Sequence, residues 1–319
     1  MNRFLSLAVR TQWSGIFAAV LIGIAALSLS APAFLTEFNW FVLLRSICVS
    51  LLVAFSQMVM LGVGQLNLSV GALGGLIAIV TGGLMEAWGW PTVPAVLAAL
   101  AVGAAAGCLN GWLTVRTGIN GFIVTLATAS AFTGINLGIT QAVPFYNLPA
   151  DFVAFGNGRL GLFPLLLIVP IIVTVLLVIF FSRTVQGRYL LAVGGNSHAA
   201  ELSGISVSRA IMFAHTLSGL LAAAAGVLAV AQLGSAQPTI GADWLVISFA
   251  APIIGGASLA GGAISITGTV IAVLLVGLIQ NAMVLLAVDP YWVTFLLGAL
   301  ILAAVWINRI RTVRMERVR

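Results

Sequence analysis

The chain of 319 residues is 61% hydrophobic and 6% charged, with a mean hydropathy of +1.20. A soluble domain carries about 25% charged residues, so lipid rather than water must face most of this surface. The net charge of +6 does not point to nucleic acid, because the basic residues cluster at the ends of apolar runs. All thirteen basic residues are arginine; without lysine there is no Walker A loop, whose lysine reaches the nucleotide phosphates, and any ATP hydrolysis must come from a partner.

A helix needs about 20 apolar residues to span the hydrocarbon core. The first candidate runs from Trp13 to Ala31, after Arg3 and Arg10. Ala31-Pro32-Ala33 mimics a signal-peptide cleavage site, but the apolar run exceeds the roughly 7–15 residues of a signal core. Further spans are predicted at 41–63, 68–86, 92–113, 121–140, 164–182, 210–233, 245–262, 266–287 and 291–308. The expected fold is an all-α polytopic membrane protein, one domain over 1–319, with about ten transmembrane helices. The link between spans two and three and the glycine-rich region 255–268 are expected to be broken or re-entrant, which irregular backbone tolerates where it lines a cavity or is buried in protein.

With both termini cytoplasmic, eleven of the thirteen arginines fall inside and only Arg45 and Arg159 outside, the bias expected of cytoplasmic loops. All eight tryptophans fall near a predicted span end, where aromatic belts form. Arg45, one turn past Trp40, is expected to snorkel to the outer interface. Small-residue runs such as AVGAAAGCLNG (101–111), LSGLLAAAAG (217–226) and IIGGASLAGG (253–262) predict close helix packing. The longest outer loop is 141–163, whose Pro144, Asn147, Pro149, Gly156, Asn157 and Gly158 read as turns.

Side chains capable of chemistry are few. Cys48 and Cys108 lie in apolar runs and read as buried thiols; His198 and His215 have no metal-ligand spacing. No set of nucleophile, base and acid is visible, so no catalytic residue is assigned. Neutral polar residues are more frequent in the spans. Gln65, Asn67, Asn110, Thr125, Thr128 and Asn281 are the candidates for a substrate path, since amides and hydroxyls both donate and accept without charge. The competing reading is interhelical bonding, worth about 0.6 kcal/mol per bond in membranes.

The longest polar interruption with helix-forming character is 183–209, RTVQGRYLLAVGGNSHAAELSGISVSR. Gly194-Gly195 is expected to turn the chain, Asn196 or Ser197 to cap a helix over Ser197 to Ser203, and Gly204 to take the C′ position. Ser206 or Ser208 would cap the following span. A solvated connecting loop is the plainer alternative, but such loops rarely expose an Ala-rich helix and a leucine to water.

The same segment, GRYLLAVGGNSHAAELSGISVSR, resembles the cytoplasmic coupling segment in permease subunits of ribose-type ABC importers. Three further stretches are similar to that family in the same order: NLSVGALGGL (67–76), LNGWLTVRTGINGFIVTLAT (109–128) and IIGGASLAGGAISITGTVIAVLLVGLIQN (253–281). Together they fall within residues 40–305. Asn67 stands where the family usually has an acid, Gly121 where proline is commoner, and Ala263 where a basic residue is frequent.

The resemblance implies a monosaccharide importer working by alternating access in a bacterial inner membrane. Its partners would be two ATP-binding-cassette ATPase subunits carrying ATP and magnesium, a second permease subunit and a periplasmic sugar-binding protein. This chain itself would hold no cofactor. On this reading Gly194, Gly195, Asn196, Ala199, Ala200, Glu201, Ser203, Gly204 and Ile205 belong to the ATPase-coupling helix and its turns. Branched-chain amino acid or nucleoside permeases share the implied fold. A secondary transporter or channel is disfavoured by the scarcity of ionisable residues within the spans, and a membrane enzyme by the lack of a catalytic set.

Overall fold

The computed structural model describes residues 14–289 together with Trp292, Phe295, Gly298, Ala299 and Leu302. Apart from those five positions the expected tenth span, 291–308, lies outside the described residues, as do Trp13, Trp306 and the arginines of both termini.

The chain begins with α1 (Ser14–Ser30), a 3-10 turn at Pro32–Leu35, and α2 (Glu37–Gly62). Thr36 caps α2 by accepting from the Asn39 amide, and Glu37 lies in its first turn, where a negative charge favours the helix dipole. Next come α3 (Val70–Glu86), α4 (Thr92–Thr117), α5 (Gly121–Thr140) and a short α6 (Ala150–Asn157). A two-residue hairpin, β1 (Arg159–Leu160) and β2 (Phe163–Pro164), leads through a 3-10 turn into α7 (Ile168–Arg183). The rest is α8 (Val185–Gly195), α9 (Ser197–Leu202), α10 (Val207–Leu233), α11 (Trp244–Ile254) and α12 (Ile266–Leu285).

The architecture is all-α and polytopic, but the expected count of about ten spans is not what the described residues show. Six helices are long and apolar enough to cross a membrane: α2, α4, α5, α10, α12 and Leu165–Arg183, which contains α7. α1 and α3 have 17 residues each, and α11 only 11. The eighth expected span, 245–262, fails for a local reason. Pro252 supplies no amide to the last turn of α11, and the backbone leaves the helix at Gly255 and Gly256.

The core forms around α2 and α10. From Leu51 to Gly62 every residue of α2 is buried. Small residues recur every fourth position on α4, at Gly103, Gly107 and Gly111, and lie against Ala223, Gly219, His215 and Met212 of α10. A Cβ at Gly107 would meet the His215 carbonyl oxygen at 2.3 Å, so only glycine allows this approach. Without hydrophobic drive between helices in lipid, such contact is what holds them. The outward faces of α5 and α7 instead present large apolar side chains such as Ile123, Leu126, Ile171 and Val175.

The irregular backbone lies partly where it was not expected. α10 ends at Gly234, whose φ of 66° is left-handed, and the chain then runs down along α3 rather than remaining in an outer loop. Ala236 lies against Gly82, Ile240 against Gly75 and Gly241 against Gly71. The segment therefore follows α3 for roughly 16 Å at 1.5 Å per residue. Part of its polar backbone is paired: Phe145 and Ala236 exchange amide hydrogen bonds, and Asn136 Nδ2 donates to the Pro238 carbonyl at 3.1 Å. Trp244, read from the sequence as an interfacial belt residue, consequently starts α11 at depth and packs buried on Gly71 and Gly74.

Three other expectations are amended. The loop 141–163 contains a helix, α6, which docks on the end of α10 with Gly156 against the Ala231 carbonyl. Arg45 reaches toward the expected outer loop and is tied there: its Nη2 donates to the Gln232 carbonyl and to Asn157 Oδ1 at 3.2 Å, joining α2 to α10 and α6, while its guanidinium lies over the Phe41 ring. Cys48 is buried as expected, whereas Cys108 is exposed on α4; both thiols are free.

Candidate functional site

The segment 183–209 is two helices and not one. Thr184 opens α8 by accepting from the Gly187 amide at 3.1 Å, a Thr-x-x-Gly cap that the sequence reading passed over. Gly194 and Gly195 do not turn the chain; they are the last two residues of α8. The turn falls at Asn196, whose extended backbone (φ −161°, ψ 101°) separates the helices and whose Oδ1 accepts from the Ala199 amide at 2.9 Å to start α9. After α9, Ser203 donates from Oγ to the Ala199 carbonyl, Gly204 takes φ 79°, and the Ile205 amide returns to the Ala200 carbonyl. Ser206 caps α10 by accepting from the Arg209 amide at 3.4 Å.

Ala200 alone of α9 is buried and fastens the helix to the body. Ala199, Glu201, Ser203 and Gly204 are exposed, and Leu202 is 78% exposed at the tip. Leu202 is the leucine of this Ala-rich helix, and the structure leaves it in the open.

Gly194 and Gly195 serve a different purpose. A Cβ on Gly194 would meet the Gly62 carbonyl oxygen at 2.1 Å and the Gly262 nitrogen at 2.7 Å, and one on Gly261 would meet the Gly194 carbonyl oxygen at 2.4 Å. The Gly262 amide also donates to the Gly62 carbonyl at 3.2 Å. The end of α8, the end of α2 and the loop 255–265 thus meet backbone to backbone, with no side chain between them to absorb displacement.

Three of the six path candidates are brought together and three are not. Asn67, Asn110 and Thr125 are buried in a shared network. Asn67 Oδ1 accepts from the Ser69 amide and hydroxyl at 2.9 and 2.7 Å, and its Nδ2 donates to Ser218 Oγ at 3.0 Å. Asn110 Nδ2 donates to Ser69 Oγ at 3.0 Å, Thr125 Oγ1 accepts from the Leu68 amide at 3.0 Å, and Ser56 Oγ donates to the Ser218 carbonyl at 2.9 Å. These contacts lock the turn between α2 and α3 to α4, α5 and α10. Thr128 donates to the Thr125 carbonyl at 3.3 Å on its own helix. Gln65 Oε1 is buried without a partner among the described residues, close to Gly121. Asn281 lies elsewhere, in a reciprocal amide pair with Asn39 at 2.7 and 3.1 Å.

None of the six lines either of two clefts that flank the 234–243 segment. The smaller, about 270 Å³, lies between α3, α5 and that segment; Thr133 and Asn136 line it. The larger, about 340 Å³, lies between α2, α10 and α12 on its other side. The polar residues of 234–243 escaped the sequence reading because a short polar link between two apolar runs has the same composition whether it stays in water or descends into the protein. Among the described residues no group of three or more His, Cys, Asp or Glu could hold a metal ion.

Residues 38–305 match the family described as branched-chain amino acid transport system / permease component. The chain is 36% identical over 283 residues to the D-allose transport system permease protein AlsC of Escherichia coli (strain K12), covering 89% of this chain and 87% of that one. It is 35% identical over 300 residues to the ribose import permease protein RbsC of Bacillus subtilis (strain 168), covering 93% of each. It is 32% identical over 289 residues to the fructose import permease protein FrcC of Rhizobium meliloti, covering 87% of this chain and 80% of that one. No solved structure matches the chain.

Proposed function

Since the chain belongs to the branched-chain amino acid transport system / permease component family, we propose that it is the transmembrane subunit of an ABC importer moving a neutral monosaccharide into the cell. The observation that carries this reading is similarity along nearly the whole chain to permeases named for allose, ribose and fructose. Those sugars differ in carbon number and carbonyl position, but all are uncharged and hydroxyl-rich. The substrate class is therefore better supported than any one sugar. The family description keeps branched-chain amino acids as the second reading.

In this reading α9, with Glu201 and Leu202 exposed at its tip, is the surface that a cytoplasmic ATPase grips. The glycine junction of Gly62, Gly194, Gly261 and Gly262 then carries displacement of α8 to α2 and to the 255–265 loop. Alternating access requires an interface with two arrangements that both ATP and solute bias, and a second permease subunit supplies the other half of that interface. A periplasmic sugar-binding protein delivers solute to the opposite end.

Proteoliposomes containing this chain, its co-expressed ATPase and a sugar-loaded binding protein should accumulate labelled D-ribose or D-allose only with ATP and magnesium. Uptake by this chain alone would refute the reading in favour of a secondary transporter. Uptake of L-leucine but of neither sugar would favour the second substrate class.

A further inference from the structure

The larger cleft lies in the half of the molecule opposite α9. Gln280 on its wall adjoins Asn281, which pairs with Asn39 near the start of α2, whereas Gly62 at the other end of α2 meets Gly194. Ser46 and Ser50 lie roughly 14 and 20 Å along α2 from Glu37, at 1.5 Å per residue, so the cleft reaches the middle of a 26-residue helix. Its wall on one side is the irregular 234–243 backbone, which is stable at membrane depth only where it is buried in protein or lines a cavity.

The lining combines neutral polar groups with apolar ones. Gln232, Gln237 and Gln280 contribute amides, Ser46, Ser50 and Thr239 hydroxyls, and Trp244 and Ile247 an apolar base. Ser46 Oγ donates to the Leu43 carbonyl at 2.8 Å and Ser50 Oγ to the Ser46 carbonyl at 3.1 Å, so both protons are engaged and both oxygens keep lone pairs for an incoming donor. Gln237 Nε2 is held by Ser235 Oγ at 3.2 Å, which leaves its carbonyl oxygen available. The side chains of Gln232, Thr239 and Gln280 make no hydrogen bond to another described residue, so their donors also remain for a solute. Asp243 is the sole ionisable lining residue; although it stands at the start of α11, its carboxylate does not cap that helix.

Interleaved donors and acceptors without a cation match a molecule whose every polar group both donates and accepts. An amino acid fits less well: its ammonium would have Asp243, but its carboxylate would find no arginine or histidine among the lining residues. We propose that this cleft is a binding site for a neutral polyhydroxylated solute in transit, with Gln232 and Gln280 as its principal donors. The assignment rests on the permease reading above and identifies where within this chain the solute is held. A volume of about 340 Å³ falls within the range of small-molecule sites, roughly 300–1,000 Å³.

The test uses the complex with ATPase and binding protein in proteoliposomes, with D-ribose and D-allose as probes and L-leucine as contrast. Gln232→Leu and Gln280→Leu should each reduce ATP-dependent uptake of the transported sugar at least tenfold while the ATPase still co-purifies. Thr133→Val, in the smaller cleft, should stay within twofold of the unmodified complex. As a second measurement, Ser50→Cys in a Cys108→Ser background should react with a small water-soluble maleimide, and sugar-loaded binding protein should slow that reaction at least fivefold. Full uptake by both leucine variants, or unprotected labelling at position 50, would overturn the cleft assignment and leave the permease reading standing. Absence of ATP-dependent uptake of either sugar by the unmodified complex would overturn both.

Discussion

At the scale of single residues, glycines and amides do most of the positioning. Gly194 is the sharpest case, since its replacement by alanine would put a Cβ 2.1 Å from the Gly62 carbonyl oxygen. Neither side can yield, because both are backbone. Gly194→Ala should destabilise the folded protein by about 1–3 kcal/mol, the usual cost of overpacking, visible as a lowered thermal midpoint in detergent. An unchanged midpoint would mean that α8 and α2 are not in contact. Asn67 offers a different test. It satisfies the Ser69 amide and hydroxyl and reaches Ser218, so Asn67→Leu leaves the buried Ser69 amide without its acceptor at about 1–3 kcal/mol, while the Ser69 and Ser218 hydroxyls keep Asn110 and Ser56 as partners. If Asn67→Leu abolishes uptake at full thermal stability, the residue serves the solute path and not the scaffold. The sequence identified Asn67 as polar and within the membrane, but periodicity cannot distinguish a residue facing a cavity from one facing a neighbouring hydroxyl.

Among elements, α9 and the 234–243 segment show opposite degrees of legibility. The caps of α9 are local chemistry: Asn196 accepts from a residue three positions on, and Gly204 tolerates the left-handed backbone that closes the helix. Both were readable from the sequence, although the turn belongs to Asn196 and the neighbouring glycines to a long-range junction. Glu201→Arg and Leu202→Asp, on the exposed tip, should each weaken retention of the ATPase at least tenfold in co-purification while leaving membrane insertion unchanged. Full retention by both variants would remove α9 from the docking surface. The 234–243 segment was not readable. Its descent along α3 depends on Gly71, Gly75 and Gly82 lying on one face of a helix more than 150 residues earlier, and no local signal carries that information.

For the whole molecule, the stripe of Gly103, Gly107 and Gly111 is what brings α4 onto α10, and through α10 onto the polar network at Ser218. Gly107→Leu should therefore separate the two helices, abolish assembly with the ATPase and lower the yield of folded protein; a monodisperse, fully active Gly107→Leu complex would show that this packing is dispensable. The network, the glycine junction and Arg45 bridging α2, α10 and α6 place rigid ties at several depths of the bundle. The expected motion is then displacement of α8 with the 255–265 loop, carried to α2 through backbone contact.

By itself the sequence determined the solvent, the helical class, the family resemblance and the short capped helix within the polar interruption. Each of these depends on composition or on neighbours within a few turns: apolar runs of span length, arginines in place of lysines, a capped Ala-rich helix between two spans. Only the tertiary structure decided that six helices rather than about ten have spanning length among the described residues, that Asn67 and Asn110 bind buried serines while Asn281 pairs with Asn39, and that the open polar cleft lies beside a segment resembling a loop. The reason is physical. In lipid the hydrophobic effect does not sort helix faces toward a core, so which polar group meets which is settled by close packing between distant glycines, and that pairing is not expressed in the order of the chain.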